Sequence, residues 1–330
     1  MIESGHVLNV SHLTVDYGNE NTPALALRDV SLSVDPGEFV GLVGESGSGK
    51  STLAYAILRL LHGGRVVEGS IEVSGQNVYE LDSNHLRKFR WETVSMVFQG
   101  AMNSLNPVLT VEQHIFETIR AHDESVTLTA LRFRTDELLD MVEIDKRRAQ
   151  HYPHQLSGGM KQRVVIALAI ALNPKLVIMD EPTTALDVVV QRAILDRIGE
   201  IQKRQRFAVL FITHDLSLVE QIAQTVSIMY AGKIVETTPV EQLLTGTLHH
   251  PYTRGLLNAI PELLEDNVAI SSIPGHPPEI TRLPSGCAFH PRCLYAKDEC
   301  RMSPPILKLY AGSWIACERL PELEELYSDQ

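Results

Sequence analysis

An eight-residue run, Gly44-Glu45-Ser46-Gly47-Ser48-Gly49-Lys50-Ser51, constrains this chain more than any other stretch. It follows the apolar segment Phe39-Val40-Gly41-Leu42-Val43 and opens the apolar helical pattern Thr52-Leu53-Ala54-Tyr55-Ala56-Ile57-Leu58. A strand, a glycine-rich turn and a helix in that order fit G-x-x-x-x-G-K-[ST] at every fixed position. Glycines let successive backbone N–H groups point into one concavity, where they bind phosphate oxygens. The helix N-terminus adds free donors and partial positive charge. Lys50 reaches β- and γ-phosphates from such a loop, and Ser51 offers its hydroxyl to Mg²⁺. The stretch predicts a nucleotide site in an α/β chain.

The rest of the chain supports one large α/β domain with an appendage. Residues 7–40 alternate as half-buried strands do, and Asp35-Pro36-Gly37 marks a turn. Tyr17 closes the first of these strands, where residue pattern alone favours a cross-strand aromatic. Gly69–Val73 reads as a further strand. From about residue 91 to 172 the pattern is mainly helical, with Ser157 as an N-cap and a helix expected to stop at Asn173-Pro174. Leu176-Val177-Ile178-Met179 is a strand buried on both faces, and Asp180-Glu181 at its end would be costly without a charged ligand. A carboxylate there holds Mg²⁺ in phosphate-loop enzymes, the role expected of Asp180. Glu181, one residue on, projects differently and is the natural general base for an attacking water; a solvated strand end is the plain alternative. A second buried strand, Phe207–Thr213, ends at His214, where open α/β sheets bind ligands, although a capping or core histidine reads equally well there. Residues 226–235 read as a hairpin turning at Ala231-Gly232.

Beyond about residue 246 prolines cluster and buried-strand patterns vanish, which predicts a separate irregular tail. All four cysteines of the chain, Cys287, Cys293, Cys300 and Cys317, fall there. A reducing cytoplasm argues against disulfides. Four thiolates around one metal centre would supply order that a core-poor tail lacks, either as zinc or as an iron–sulfur cluster; His290 reads as a surface histidine. The formal charge of −12 argues against DNA or anionic lipid as a main partner, while leaving room for a local basic patch. The longest apolar stretch, Val164 to Leu172, is about half of a membrane span. Met1-Ile2-Glu3-Ser4-Gly5-His6 carries no secretory signal, so a cytoplasmic location is expected.

In combination these motifs resemble an ATP-binding cassette (ABC) subunit over roughly residues 7–245. Gly44–Ser51 looks like the Walker A motif, Phe98-Gln99 the Q-loop and Leu156–Met160 the family signature. Leu176–Glu181 is similar to Walker B, Ala185-Leu186-Asp187 to the D-loop, and Thr213-His214 to the switch histidine. The resemblance implies a phosphate-loop cassette with a RecA-like core, an antiparallel β-subdomain and an inserted α-helical subdomain. It implies nucleotide contacts from Gly44, Glu45, Ser46, Gly47, Ser48, Gly49, Lys50, Ser51 and Thr52, with Tyr17 stacking on adenine. Gln99 would sense Mg²⁺ and the γ-phosphate, and His214 would hold the γ-phosphate. Ser157, Gly158, Gly159 and Asp187 would meet ATP bound on an opposite subunit, so a second cassette is required.

Leu105-Asn106-Pro107, Met160 and the tail segments His250-Pro251-Tyr252-Thr253-Arg254, Ile273–Pro278 and Cys287–Cys293 narrow the likeness to the oligopeptide/dipeptide importer branch. Gly100-Ala101 departs from the acidic-Pro pair often seen there, and Met160 stands where many cassettes have glutamine. The branch implies residues 1–245 as the nucleotide-binding domain and 246–330 as an extension carrying a 4Fe–4S cluster, with zinc as the alternative. It also implies two membrane permease subunits, an extracytoplasmic substrate-binding protein and a position on the cytoplasmic face of the membrane. The alternatives are a soluble ABC ATPase of translation or DNA maintenance, an importer of nickel chelates or oligosaccharides, and an iron–sulfur carrier with a decayed ATPase. One cassette, no sustained heptads between Ser51 and Ser157 and a filled catalytic set speak for the importer.

Overall fold

The computed structural model describes residues 5–19, 22–184, 186–259 and 273–328. Strands β1 (Leu8–Asp16), β2 (Leu25–Val34) and β3 (Phe39–Val43) lead into helix α1 (Lys50–Ile57). β4 (Arg65–Val73), β5 (Gln76–Asn77), α2 (Ser83–Lys88) and β6 (Val94–Val97) follow. Three helices come next: α3 (Val111–Arg120), α4 (Leu128–Met141) and α5 (Gly158–Ala169). Alternation returns with β7 (Leu176–Asp180), α6 (Val188–Gln205), β8 (Ala208–Thr213) and α7 (Leu216–Ile222). Then come β9 (Thr225–Tyr230), β10 (Lys233–Pro239), α8 (Val240–Thr245) and α9 (Pro251–Leu257), and finally β11 (Lys308–Tyr310), β12 (Ser313–Ile315) and α10 (Leu320–Ser328).

These elements divide into two compact units. The first comprises the described residues of Met1–Leu8, Val34–Glu38 and Glu72–Phe211. Its strand order is β8-β7-β6, with β6 parallel to β7 and Val94 opposite Leu176. Every residue of β6, β7 and β8 is buried, as parallel strands covered on both faces require. Helix α3 starts with a capping box in which Thr110 and Gln113 satisfy each other's amides, and it buries Val111, Ile115 and Ile119. β6 lies inside the stretch that reads as mainly helical, since four residues are too few to set a period. Helix α5 ends at Ala169, short of Asn173-Pro174. Arg134 explains the early stop, because its guanidinium donates to the carbonyls of Ile170 and Ala171 at 3.1 Å each and satisfies the helix end from outside.

The second unit comprises Asn9–Ser33, Phe39–Ile71 and the described part of Ile212–Gln330. One sheet carries the order β2-β1-β4. Its alternating burial, clearest at the end of β2, matches a sheet packed on one face. The other runs β11-β12-β10-β9-β3, with β3 parallel to β9 and the β9–β10 hairpin turning through Ala231 and Gly232, both at positive φ. The tail is not the irregular appendage expected from its prolines. β12 pairs antiparallel with β10, placing Ile315 opposite Glu236, and Tyr252, Phe289, Ile315, Leu320 and Leu323 are buried. Three-residue strands leave no readable period, so this core was invisible until folded. Among the described residues no helix is long and apolar enough to cross a membrane.

Candidate functional site

In the second unit, β3 delivers the phosphate loop from a fully buried strand. Gly49 adopts φ +108°, and a Cβ there would lie 2.7 Å from the Ala26 carbonyl, so only glycine lets the chain turn into α1 this way. Gly49 is also the N-cap and offers no side-chain acceptor. No acidic residue occupies the first turn of α1, so its opening amides and positive end suit an anion. Ser46 and Gly47 are exposed, Gly44 and Ser48 buried, and Ser51 and Thr52 half-buried. Lys50 is 6% exposed, and its Nζ donates to the carbonyls of Gly44 at 2.7 Å and Glu45 at 2.9 Å. The cation is thereby folded against the loop that carries it.

Two tail residues that sequence reasoning did not single out reach this loop. The Glu45 amide donates to Tyr252 Oη at 2.9 Å. Arg292 donates through both terminal nitrogens to the Glu45 carboxylate, at 2.6 and 2.9 Å. Their signal was present in the tail motifs around Pro251 and Pro291, but nothing local says what an arginine 247 positions away will touch.

Tyr17 follows β1 and is half-buried. Its amide donates to Ala24 O at 3.0 Å, and its ring lies against Gly64, where a Cβ would come within 2.8 Å of Tyr17 Cζ. Asp16 beside it accepts from the amides of Ala24 and Gly18, and these bonds, with Arg65 nearby, lower its pKa below the usual carboxylate value. His214 sits exposed just beyond β8, ahead of Asp215, which caps α7.

In the first unit, Asp180 ends β7 and is 1% exposed. Glu181 turns away at φ +46°, a left-handed conformation uncommon outside glycine that concentrates at functional turns. Its carboxylate accepts from Gln99 Nε2 at 2.8 Å and Thr184 Oγ1 at 3.1 Å. Gln99 and Glu181, proposed independently from motifs, are thus in direct contact. Thr184 was missed, because a threonine four residues past a strand end carries no signal of its own. Ser157 caps α5 as expected, accepting from the Met160 amide at 3.3 Å, and Ser157 and Gly158 are exposed. Asp187 caps α6 by accepting from the Val190 amide at 2.9 Å, and Val188 and Val189 beside it are 81% and 78% exposed. Of the expected D-loop, Ala185 lies outside the described residues.

The ABC transporter family model matches residues 27–184, and the model for the oligopeptide/dipeptide transporter C-terminal region matches residues 235–300. A dipeptide transport ATP-binding protein of Escherichia coli (strain K12) is 44% identical over 308 residues, covering 92% of this chain and 94% of its own. The chain belongs to the ABC transporter ATP-binding subunits of the oligopeptide/dipeptide type. A putative peptide import ATP-binding protein of Brucella abortus (strain 2308) is 43% identical over 98% of both chains. Among solved structures, a bacterial ABC transporter cassette determined as a dimer superposes with TM-score 0.63 at 31% identity, covering 71% of this subunit and 98% of that chain.

The four cysteines of this ABC subunit all lie in the tail. They form no disulfide and are half-buried. Burial pushes the Cys293 thiol up to about 11 and Cys317 to about 12, and the neighbouring cysteines add to the rise. No group of three or more His, Cys, Asp or Glu among the described residues is placed to hold a metal ion, so the expected 4Fe–4S or zinc site is not shown. The tail carries its own aromatic core and the β10–β12 ladder, and the Cys287 amide donates to Cys300 O at 2.8 Å.

Proposed function

We propose that this subunit hydrolyses ATP to energise the import of di- or oligopeptides through separate permease subunits. The observation that carries this reading is the extent of the likeness, since a relative named for peptide import matches 98% of this chain and 98% of its own, tail included. Residues 1–245 serve as the nucleotide-binding domain and 246–330 as the extension.

The chemistry follows from the residues. Amides of Gly44–Ser51 and Lys50 hold the phosphates, Tyr17 takes the adenine, and His214 takes the γ-phosphate. Glu181 accepts the proton of the attacking water, contributing roughly 10²–10⁴ in rate, and the amide of Gln99 aims its carboxylate. Ser51, Asp180 and Gln99 carry hydroxyl, carboxylate and amide oxygens, hard donors of the kind that would hold Mg²⁺, and the ion would supply charge neutralisation at the phosphates. Ser157, Gly158, Gly159 and Asp187 address nucleotide on a second cassette, and the exposed Val188 and Val189 support such a contact. Two permease subunits, a substrate-binding protein and a peripheral place on the cytoplasmic face of the membrane complete the reading.

Reconstitution tests it: vesicles holding the subunit, its second cassette, the permeases and the binding protein take up labelled peptide only with ATP. Uptake without ATP, or ATP hydrolysis that no peptide-loaded binding protein stimulates, sinks the proposal. For the tail, a 4Fe–4S cluster or zinc gains support from the four cysteines lying within one another's electrostatic reach and loses it from their arrangement. Metal analysis after anaerobic purification separates the cases: about four irons with a band near 400 nm, one zinc, or neither.

A further inference from the structure

Glu45 is an acid in the loop that must receive a polyanion, and two residues from the far end of the chain hold it. We propose that Arg292 and Tyr252 are positioning residues for nucleotide binding, fixing the Glu45 peptide and neutralising its carboxylate so that the phosphate loop is shaped before ATP arrives. The proposal rests on reading Gly44–Ser51 as the ATP site and assigns the tail a part in that site.

The contact is built as a fixture. Arg292 is 7% exposed, and every nitrogen of its guanidinium is engaged. Nη1 and Nη2 grip the Glu45 carboxylate at 2.6 and 2.9 Å, Nε donates to Pro274 O at 2.7 Å, and Nη1 also reaches Tyr230 Oη at 3.3 Å. Bidentate, charge-assisted pairs of this kind fix orientation as well as charge. The platform beneath is aromatic. Tyr230, Tyr252 and Phe289 pack with ring centroids 4.7 to 5.4 Å apart, and the guanidinium lies 5.8 Å from the Tyr230 ring and 6.0 Å from Phe289. Tyr252, itself fully buried, accepts the Glu45 amide at 2.9 Å, while Lys50 donates to the Glu45 carbonyl at 2.9 Å. Donor, acceptor and side chain of this one residue are therefore all tied, two of the three by the tail.

Two physical consequences follow. A glycine-rich loop loses much backbone freedom when it closes on phosphate, and a loop already held at Glu45 loses less, which raises affinity. A bare carboxylate near bound triphosphate would repel it, and the paired guanidinium removes that repulsion. Both effects act on binding far more than on the chemical step.

The test uses the full-length subunit with Mg²⁺ and ATP, reading the dissociation constant by calorimetry and KM and kcat in the assembled transporter. Arg292→Lys keeps the charge and loses the fork, and Tyr252→Phe keeps the ring and loses one oxygen. The expected result is a rise of about tenfold in Kd and KM for Arg292→Lys and a smaller rise for Tyr252→Phe, with kcat within about twofold of wild type. A Glu45→Gln/Arg292→Lys double variant should bind no worse than the weaker single variant, because both act through one pair. Unaltered Kd in well-folded single variants, or losses that multiply in the double variant, overturn the proposal. Tyr252→Phe carries the test if Arg292→Lys does not fold. Wild-type protein that binds no ATP defeats the nucleotide reading itself, whereas wild-type binding with unaltered variants defeats only the positioning role.

Discussion

The phosphate loop and the Glu181 turn both leave a fully buried parallel strand, yet they are held in opposite ways. The loop is shaped mainly by its own residues, with Gly49 at a φ that a side chain would not tolerate and Lys50 bonded to carbonyls five and six residues back, and distant side chains brace it only at Glu45. The Glu181 turn is held by side chains, with Gln99 arriving from 82 positions earlier and Thr184 from three later. Groups that bind can be built from peptide units in sequence. A group that must be aimed at a reacting atom needs partners that only the fold can bring.

That contrast can be broken by experiment. Glu181→Gln keeps the shape and removes the base, so turnover in the assembled transporter should fall roughly 10²- to 10⁴-fold with ATP affinity retained; near-normal turnover would remove Glu181 from its role. Gly49→Ala should fail through the backbone. Denaturant titration should show a loss of about 3 kcal/mol, since the added Cβ would sit 2.7 Å from a carbonyl oxygen at a φ of +108°. Gln99→Ala should separate aiming from binding, lowering kcat by about tenfold while the ATP dissociation constant, read by calorimetry, stays within about twofold. If affinity drops as far as turnover, the two turns are not held as differently as their geometry implies.

The smallest expected effect lies under the tail. Burial lowers the pKa of His250 to about 3, where its ring accepts the Tyr252 amide at 3.0 Å. The neighbouring Glu236 carboxylate accepts from the His250 amide and bonds the His249 ring. Arg28, Lys233 and Cys287 line the same small cavity. An unfolded histidine titrates near 6.5, so the folded state favours the neutral ring. This contribution is complete above pH 6.5 and is lost as pH falls from there towards 3. His250→Asn keeps an N-cap acceptor and should flatten the fall in melting temperature over that window. An unchanged slope would place the acid sensitivity elsewhere.

Much of the site was legible because it is local. Strand, glycine turn and helix lie within twenty residues at Phe39–Leu58, and the caps Ser157 and Asp187 bond amides three residues ahead. The β9–β10 hairpin was equally plain from its apolar runs and its Ala231-Gly232 turn. β6 was missed because four apolar residues carry no period. The early end of α5 was missed because Arg134, a residue of another helix, bonds the carbonyls of Ile170 and Ala171 just beyond its last residue.

The sequence by itself determined the nucleotide chemistry, since phosphate binding by peptide N–H groups depends on one short run whose turn is set by its own glycines and lysine, Glu45 alone being held from the tail. Only the tertiary structure decided what the tail is. Prolines read as a loose appendage, whereas folding turned Ile315 onto β10 and packed Tyr252 and Phe289 into a core. It also carried Arg292 across the chain to Glu45. Pairings between residues from tens to more than two hundred positions apart depend on burial and hydrogen bonding in three dimensions, and no local pattern records them.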